Sequence, residues 1–265
     1  MEESFINIEG RKIFYRFFSS KSRSSLQEIL ILHGWGIDSS RFKELSQIIS
    51  KNEFNVWAID FPGFGKSELP NYPLSVSDYK EIVISFLKHK SIKKVSLLAH
   101  SFGGRVAIKL ASENPEFVDK IILTGVPGIK TKNEFKKKVF KILSSFKKVF
   151  GDKDFMRKLL YRLAGSFDYY RLKGVMKETF LKVLDENLEE FLPKINQEVL
   201  LLWGEKDKIV PLKVAQSMNR KILNSRLEVI KSGTHKLPYE NPDIFASYAI
   251  RFLKERTQSF LKKEL

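Results

Sequence analysis

The stretch that most constrains the fold runs from Val95 to Ala107 and reads VSLLAHSFGGRVA. A continuous apolar run ends abruptly at Ser101, and apolar residues then return at helical spacing, which predicts a strand, a tight turn and a helix. A serine at such a turn is held out from the end of a sheet, and small residues are needed two positions before and after it because strand and helix nearly touch. Ala99 and Gly103 meet that requirement. Pentapeptides of this kind also occur by chance, so the rest of the chain must decide the role of Ser101.

Strand and helix patterns alternate on both sides of this stretch. Two short alternating runs around Gly10 predict an antiparallel pair of strands. Further apolar runs, typical of buried strands, lie at 28–32, 55–60, 120–124, 199–203 and 227–231. Helical patterns separate most of these runs, which predicts parallel strands joined by right-handed crossovers. The predicted fold class is therefore α/β, with a mostly parallel eight-stranded sheet covered by helices on both faces.

The alternation stops between Val126 and Glu198, an interval far longer than a crossover connection needs. Helical patterns occur within it at 135–150, 156–163 and 175–184. We therefore predict that residues 1–125 and 199–265 form one core domain. Residues 126–198 are predicted to form a helical cap inserted between strands 6 and 7.

Composition excludes several classes of protein. A hydrophobic content of 43% with 22 phenylalanines is typical of a packed globular chain. The chain has no cysteine, so it holds neither a disulfide framework nor a thiolate metal site. No apolar run reaches membrane-spanning length, and the N-terminus lacks a basic region followed by an apolar segment. We expect a cytoplasmic protein without a membrane span.

The formal net charge of +16 is unevenly distributed. Residues 130–173 carry 14 lysines or arginines against 4 acidic residues. Such a segment can attract an acidic partner, for example an acidic carrier protein, or it can form a solvated helix face. Lysine outnumbers arginine 35 to 12, which favours the solvated face because binding surfaces prefer arginine. No nucleic-acid-binding motif is present, so we expect no nucleic-acid partner.

A serine hydroxyl becomes a good nucleophile only beside a base that a carboxylate orients. Asp207 follows the predicted strand at 199–203, and His235 follows the predicted strand at 227–231. Ligand sites of open α/β sheets gather at the carboxyl ends of strands, so these two residues are the candidate acid and base.

Other titratable residues near strand ends have simpler interpretations. Glu205 is expected to face solvent, and Asp60 is expected to fix a loop close to the site. His33 and His100 are expected to be hydrogen-bonded structural residues. His89 lies among lysines at a helix end, where it is expected to interact with the C-terminal carbonyls. The histidines lack metal-ligand spacing, so neither a metal nor a cofactor is predicted.

Five motifs in this order resemble the capped serine esterase branch of the α/β-hydrolase superfamily, and they span nearly the whole chain. The motifs are HGWG at 33–36, DFPGFGKS at 60–67, AHSFGG at 99–104, GEKDKIVP at 204–211 and GTHKLPYENP at 233–242. The usual form of the serine motif is G-x-S-x-G, and here Ala99 replaces its first glycine. The first two motifs also resemble the pimeloyl-acyl carrier protein methyl ester esterase-like hydrolases.

The resemblance implies a role for each matching residue. Ser101 would be the nucleophile, His235 the general base and acid, and Asp207 the orienting carboxylate. The backbone N–H groups of Trp35 and Phe102 would form the oxyanion hole. Trp35, Phe102, Val126 and Val210 would contact the substrate.

The function predicted on this basis is a cofactor-independent carboxylesterase that acts on a small-molecule ester. Serine at position 101 argues against the haloalkane dehalogenase and epoxide hydrolase branches, which place an aspartate there. Carbon–carbon bond hydrolases, lactonases, thioesterases and perhydrolases share the same triad and remain alternatives. A non-catalytic small-molecule receptor on the same fold is the alternative from another functional class.

Overall fold

The computed structural model describes residues 1–20, 27–127 and 174–255. Its strands form one eight-stranded sheet in the order β1-β2-β4-β3-β5-β6-β7-β8. They are β1 (Glu2–Ile8), β2 (Arg11–Phe18), β3 (Gln27–Leu32), β4 (Phe54–Ile59), β5 (Val95–His100), β6 (Val118–Thr124), β7 (Glu198–Gly204) and β8 (Ser225–Ile230). Only β1 with β2 and β2 with β4 pair antiparallel within this sheet. The predicted mostly parallel sheet is confirmed.

Helices cover both faces of the sheet, as predicted. They are α1 (Lys43–Ser50), α2 (Val76–His89), α3 (Phe102–Glu113), α4 (Val175–Asp185), α5 (Leu212–Lys221), α6 (Leu237–Glu240) and α7 (Pro242–Lys254). The apolar sides of α2, α3 and α5 pack in one hydrophobic cluster on the sheet. The apolar sides of α1 and α7 belong to a second cluster, on the opposite face. The fold is that of an α/β hydrolase.

The central strands explain why the site residues converge. Every residue of β5 and β7 is buried, which matches their nearly continuous apolar sequences. Parallel strands end at the same edge of the sheet, so the loops after β3, β4, β5, β6, β7 and β8 lie side by side. These loops contain all the predicted catalytic residues.

The predicted cap, residues 126–198, is described at 126–127 and 174–198. Within this part, α4 confirms the helix predicted at 175–184. The helices predicted at 135–150 and 156–163 lie outside the described residues, and the division into core and cap stays a prediction. None of the described helices is both long and apolar enough to cross a membrane.

Candidate active site

Ser101 occupies the tight turn between β5 and α3 in a strained conformation. Its φ of 50° and ψ of −112° place a non-glycine residue in a region that costs about 1–3 kcal/mol. Its N–H donates to the carbonyl of Thr124 at 2.9 Å, which fixes the turn against β6. A Cβ at Gly103 would lie only 2.2 Å from the carbonyl oxygen of Leu32. The small residue predicted two positions after the serine is therefore required by the close approach of α3 to β3.

His235 and Asp207 are paired by a hydrogen bond. His235 Nδ1 lies 2.9 Å from Asp207 Oδ2, and the Asp207 side chain is only 1% exposed. The other carboxylate oxygen, Oδ1, accepts from the backbone N–H groups of Ile209 and Val210, each at 2.8 Å. A carboxylate can only accept, so Nδ1 carries the hydrogen and Nε2 keeps a free lone pair. Glu205 is exposed, as predicted.

The loop after β6 lies against the His235 ring and follows the residue that holds the turn of Ser101. A Cβ at Gly125 would lie 2.8 Å from both Cε1 and Nδ1 of His235. Gly125 directly follows Thr124, which accepts the hydrogen bond from the Ser101 N–H. In the part of the chain that the structure describes, the Ser101 hydroxyl has no hydrogen-bond partner. Catalytic hydrogen bonds of free enzymes commonly tighten only when substrate binds.

Two backbone amides next to Ser101 can bind a developing negative charge. Phe102 is the first residue of α3, where helix N–H groups lack intrahelical acceptors. Trp35 follows Gly34, and a Cβ at Gly34 would lie 3.2 Å from Ser101 Cβ. Across residues 1–20, 27–127 and 174–255, neither the Trp35 amide nor the Phe102 amide donates to a protein acceptor. Both amides are thus available to a ligand.

The buried histidines at this edge have structural roles. Phe61 N–H donates to His33 Nε2 at 2.9 Å, so His33 Nδ1 carries the hydrogen and donates to the Gly34 carbonyl at 2.8 Å. His100 Nε2 lies 2.9 Å from the His235 carbonyl, so it is the protonated nitrogen of that ring. Burial lowers the pKa of His33, and burial together with the nearby His235 lowers the pKa of His100 to about 3. Both rings are therefore neutral at neutral pH.

Asp60 fixes two loops beside the site, as predicted. It is fully buried after β4, and its Oδ1 accepts from the Ser39 N–H at 2.8 Å. Its Oδ2 accepts from the Lys66 N–H at 2.9 Å, and the Arg16 guanidinium lies 3.6 Å from Oδ1. Both carboxylate oxygens of Asp60 thus have partners in these loops or in Arg16, and none of these bonds joins Asp60 to a predicted catalytic residue.

An aromatic cluster includes the side chains of Trp35 and Phe102, whose amides are described above. The ring of Trp35 packs against Phe64 at 4.8 Å, Phe102 at 5.4 Å and Phe180 at 4.9 Å between centroids. Phe180 belongs to α4, so this cluster joins the sheet edge to the predicted cap. We call Trp35, Phe64, Phe102 and Phe180 the aromatic wall.

The two valines predicted to contact the substrate are both buried and pack on different elements. Val126 is fully buried, and its Cγ2 would lie 2.1 Å from a Cβ at Gly104. Val210 is buried, its N–H donates to Asp207, and its carbonyl accepts from Trp203 Nε1 at 3.0 Å. These two hydrogen bonds of Val210 thus stabilise the loop that carries Asp207.

Sequence reasoning missed three features that shape the site. Gly125 has a φ of 60° and lets the His235 ring approach the sheet. Met176 and Phe180 of α4 reach the site loops, Met176 by filling the space beside Gly63. The glycine directly after the β6 strand was a usable signal for a close approach, whereas the contacts of α4 have no local signature. Among the described residues, no three histidine, aspartate or glutamate side chains group as metal ligands.

Comparison with known proteins identifies the family of the chain. A family model described as serine aminopeptidase, S33, matches residues 23–242. A pimeloyl-[acyl-carrier protein] methyl ester esterase of Pectobacterium carotovorum is 28% identical and is aligned over 85% of this chain and 93% of its own length. A 2-hydroxy-6-oxononadienedioate/2-hydroxy-6-oxononatrienedioate hydrolase of Pseudomonas putida is 27% identical over 94% of this chain and 95% of its own.

A solved structure shares the fold over the whole molecule. The esterase EaEST of Exiguobacterium antarcticum superposes with a TM-score of 0.75 at 23% identity, over 96% of this chain and all of that one. Identity at this level establishes the fold alone, whereas the family model covers most of the chain. The protein is therefore a hydrolase of the α/β-hydrolase superfamily and belongs to the serine aminopeptidase S33 family.

Proposed function

We propose that the protein is a serine hydrolase that cleaves carboxylic esters through an acyl-enzyme on Ser101. The observation that carries this proposal is the hydrogen bond from His235 Nδ1 to the buried Asp207, because it leaves Nε2 free to act as a base. The backbone of Ser101 is strained, and its hydroxyl has no hydrogen-bond partner among the described residues. A receptor on the same fold can keep this arrangement, so the test below distinguishes the two functions.

The proposed reaction begins with proton transfer. His235 Nε2 takes the Ser101 hydroxyl proton as Oγ attacks the ester carbonyl, and Asp207 stabilises the imidazolium that forms. The carbonyl oxygen becomes an oxyanion, which accepts from the N–H groups of Trp35 and Phe102. The tetrahedral intermediate collapses, and the alcohol leaves with the proton from His235. A water molecule, deprotonated by His235, then attacks the acyl-enzyme, and the proton passes from His235 to Ser101 Oγ as the acid is released.

The aromatic wall favours an uncharged, apolar acyl group. Its four rings meet beside the proposed oxyanion donors. The two buried arginines of the described residues are occupied, Arg16 by Asp60 and Glu3 and Arg105 by three backbone carbonyls. The described residues beside the proposed oxyanion donors are thus apolar, which supports an ester with an uncharged acyl group as the substrate.

The test uses p-nitrophenyl esters of increasing acyl length with the wild-type protein, Ser101→Ala and the control Ser112→Ala. Ser112 lies on the same helix and donates only to the Lys109 carbonyl. We expect turnover by the wild type and the control, and a loss of at least about 10³-fold in Ser101→Ala. An absence of turnover by folded wild type, combined with thermal stabilisation by an ester, would instead identify a receptor. Equal turnover by both variants would remove Ser101 from the mechanism.

We further propose that residues 126–198 cap the site and that the enzyme is cytoplasmic.

We also propose that the basic segment at 130–173 contacts an acidic partner. The charge excess of that segment supports this contact, as does the acyl-carrier substrate in the name of the Pectobacterium relative. The experiment compares an acyl-carrier ester with a small aryl ester at low and high salt. Steeper salt dependence for the carrier ester, abolished by Lys136→Glu, Lys137→Glu and Lys138→Glu together, would support the contact. Equal salt dependence for both esters would contradict it.

A further inference from the structure

Arg105 is a buried cation that the proposed mechanism does not use. It lies four residues after Ser101 on α3 and is 2% exposed. Its Nη1 donates to the Pro127 carbonyl at 3.3 Å, and its Nη2 donates to the carbonyls of Val183 at 2.5 Å and Glu186 at 2.6 Å. Burial lowers the pKa of Arg105 to about 10, so the guanidinium stays charged at neutral pH.

The acceptors of Arg105 come from both sides of the inserted segment. Pro127 leads into residues 128–173, whereas Val183 and Glu186 lie at the C-terminal end of α4, which follows that segment. The last carbonyls of a helix lack intrahelical donors and carry partial negative charge. A planar guanidinium can donate to several such carbonyls at once, which an ammonium cannot do in the same geometry. Lys109, one turn along α3, pairs with the Glu186 carboxylate and reinforces this attachment.

The other half of α4 lies against the proposed oxyanion loop. Phe180 packs on Trp35, and Met176 fills the space beside Gly63. The Leu74 N–H donates to Thr179 Oγ1 at 3.0 Å, which holds the same helix against the core. The position of α4 therefore decides where Phe180 stands in the aromatic wall.

We propose that Arg105 is a positioning residue that sets the acyl-length preference of the enzyme by fixing α4 against the nucleophile helix. The inference rests on the proposed ester hydrolysis for its functional part, because the aromatic wall limits an acyl group only if an acyl group binds there. Its physical part, the attachment of α4, does not depend on turnover. The two parts can thus fail separately.

The test compares Arg105→Met and Arg105→Lys with the control Lys80→Met. Lys80 is also a buried cation, at 7% exposure, but its partners Glu81 and Glu113 lie outside the insertion. Hydrogen exchange of residues 175–186 measures the attachment of α4. We expect exchange about tenfold faster or more in Arg105→Met, because charge-assisted hydrogen bonds to three carbonyls are lost. Arg105→Lys should fall between this variant and the wild type, and Lys80→Met should leave the exchange of α4 unchanged.

The kinetic readout is the ratio of kcat/KM between the preferred ester and one two carbons longer. We expect this ratio to fall about tenfold in Arg105→Met through a rise in KM for the preferred ester, while Lys80→Met keeps it. If Arg105→Met does not fold, Arg105→Lys is measured against the same control. Unchanged exchange in α4, or an equal change in Lys80→Met, would overturn the inference. If exchange in α4 becomes faster but the kcat/KM ratio of the two esters stays constant, the role of Arg105 in specificity is overturned. Absence of ester turnover in the wild type would contradict the proposed function alone.

Discussion

Replacement of Gly125 by alanine should lower activity by displacing the His235 ring, and this effect can be distinguished from the loss of folding stability. The new Cβ would lie 2.8 Å from two ring atoms of His235, so the ring must retreat by roughly 0.6 Å to reach ordinary contact at 3.4 Å. That movement strains the 2.9 Å bond to Asp207 and shifts Nε2 relative to Ser101. Displacements of about 1 Å cost about 10²-fold in rate, so we expect kcat/KM to fall about 10–100-fold.

Gly10→Ala is the matched control for this prediction. Gly10 has a φ of 80° and Gly125 a φ of 60°, but a Cβ at Gly10 would meet no atom within 4 Å. Both variants should lose about 1–2 kcal/mol of unfolding free energy, since both place alanine in the left-handed region. Ester turnover gives kcat/KM, and urea unfolding gives the free energy. If the two variants agree in kcat/KM within about twofold, the reasoning about His235 is refuted.

Two further predictions concern the carboxylates and the buried histidine. Asp207→Asn should lower kcat about 10⁴-fold in the ester assay because it disturbs the tautomer of His235. Glu205→Gln should leave kcat unchanged in the same assay. Equal effects of the two substitutions would contradict the assignment of Asp207 as the carboxylate that orients His235. His100 has its pKa lowered to about 3, so its contribution to stability is present above the unfolded pKa near 6.5 and is lost as the pH falls from there towards 3. In the wild type, the unfolding free energy should therefore fall as the pH is lowered from 6 to 4. His100→Gln, which keeps an N–H donor, should reduce the slope of this fall by about 1.4 kcal/mol per pH unit, measured by urea unfolding. An unchanged slope would show that His100 does not cause this pH dependence.

The centre of the sheet could be predicted from the sequence because its central strands are buried on both faces. A strand of this kind must be apolar at nearly every position, as β5 and β7 are, so its boundaries are visible as abrupt changes in hydropathy. Ser101 directly follows β5, Asp207 lies in the loop after β7, and His235 lies in the loop after β8. Their convergence at one edge then follows from parallel topology alone.

The contacts across that edge could not be predicted because they join residues distant in the chain. The close approach of His235 to Gly125 depends on the register of β6 with its neighbours, and a one-residue shift would turn every side chain to the other face. The three carbonyl acceptors of Arg105 are backbone atoms, which carry no side-chain identity for a sequence to display. Two basic residues one turn apart on the buried face of α3, Arg105 and Lys109, were the local indication of that attachment.

Its position after the last predicted strand selects His235 among the four histidines, and the hydrogen bonds of the rings give the physical reason for that choice. Both ring nitrogens of His33 are occupied, and His89 is exposed with Nδ1 on the Ser85 carbonyl. His100 donates to the His235 carbonyl with Nε2. Its Nδ1 is buried, has no hydrogen-bond partner among the described residues and lies 2.7 Å from where a Cβ at Gly34 would lie. In His235, Nδ1 is bound to a buried carboxylate, and Nε2 makes no hydrogen bond to the described residues. Because the rings of His33 and His100 are held by other bonds and His89 is exposed at the end of α2, His235 is the ring that can accept the Ser101 proton in the proposed mechanism.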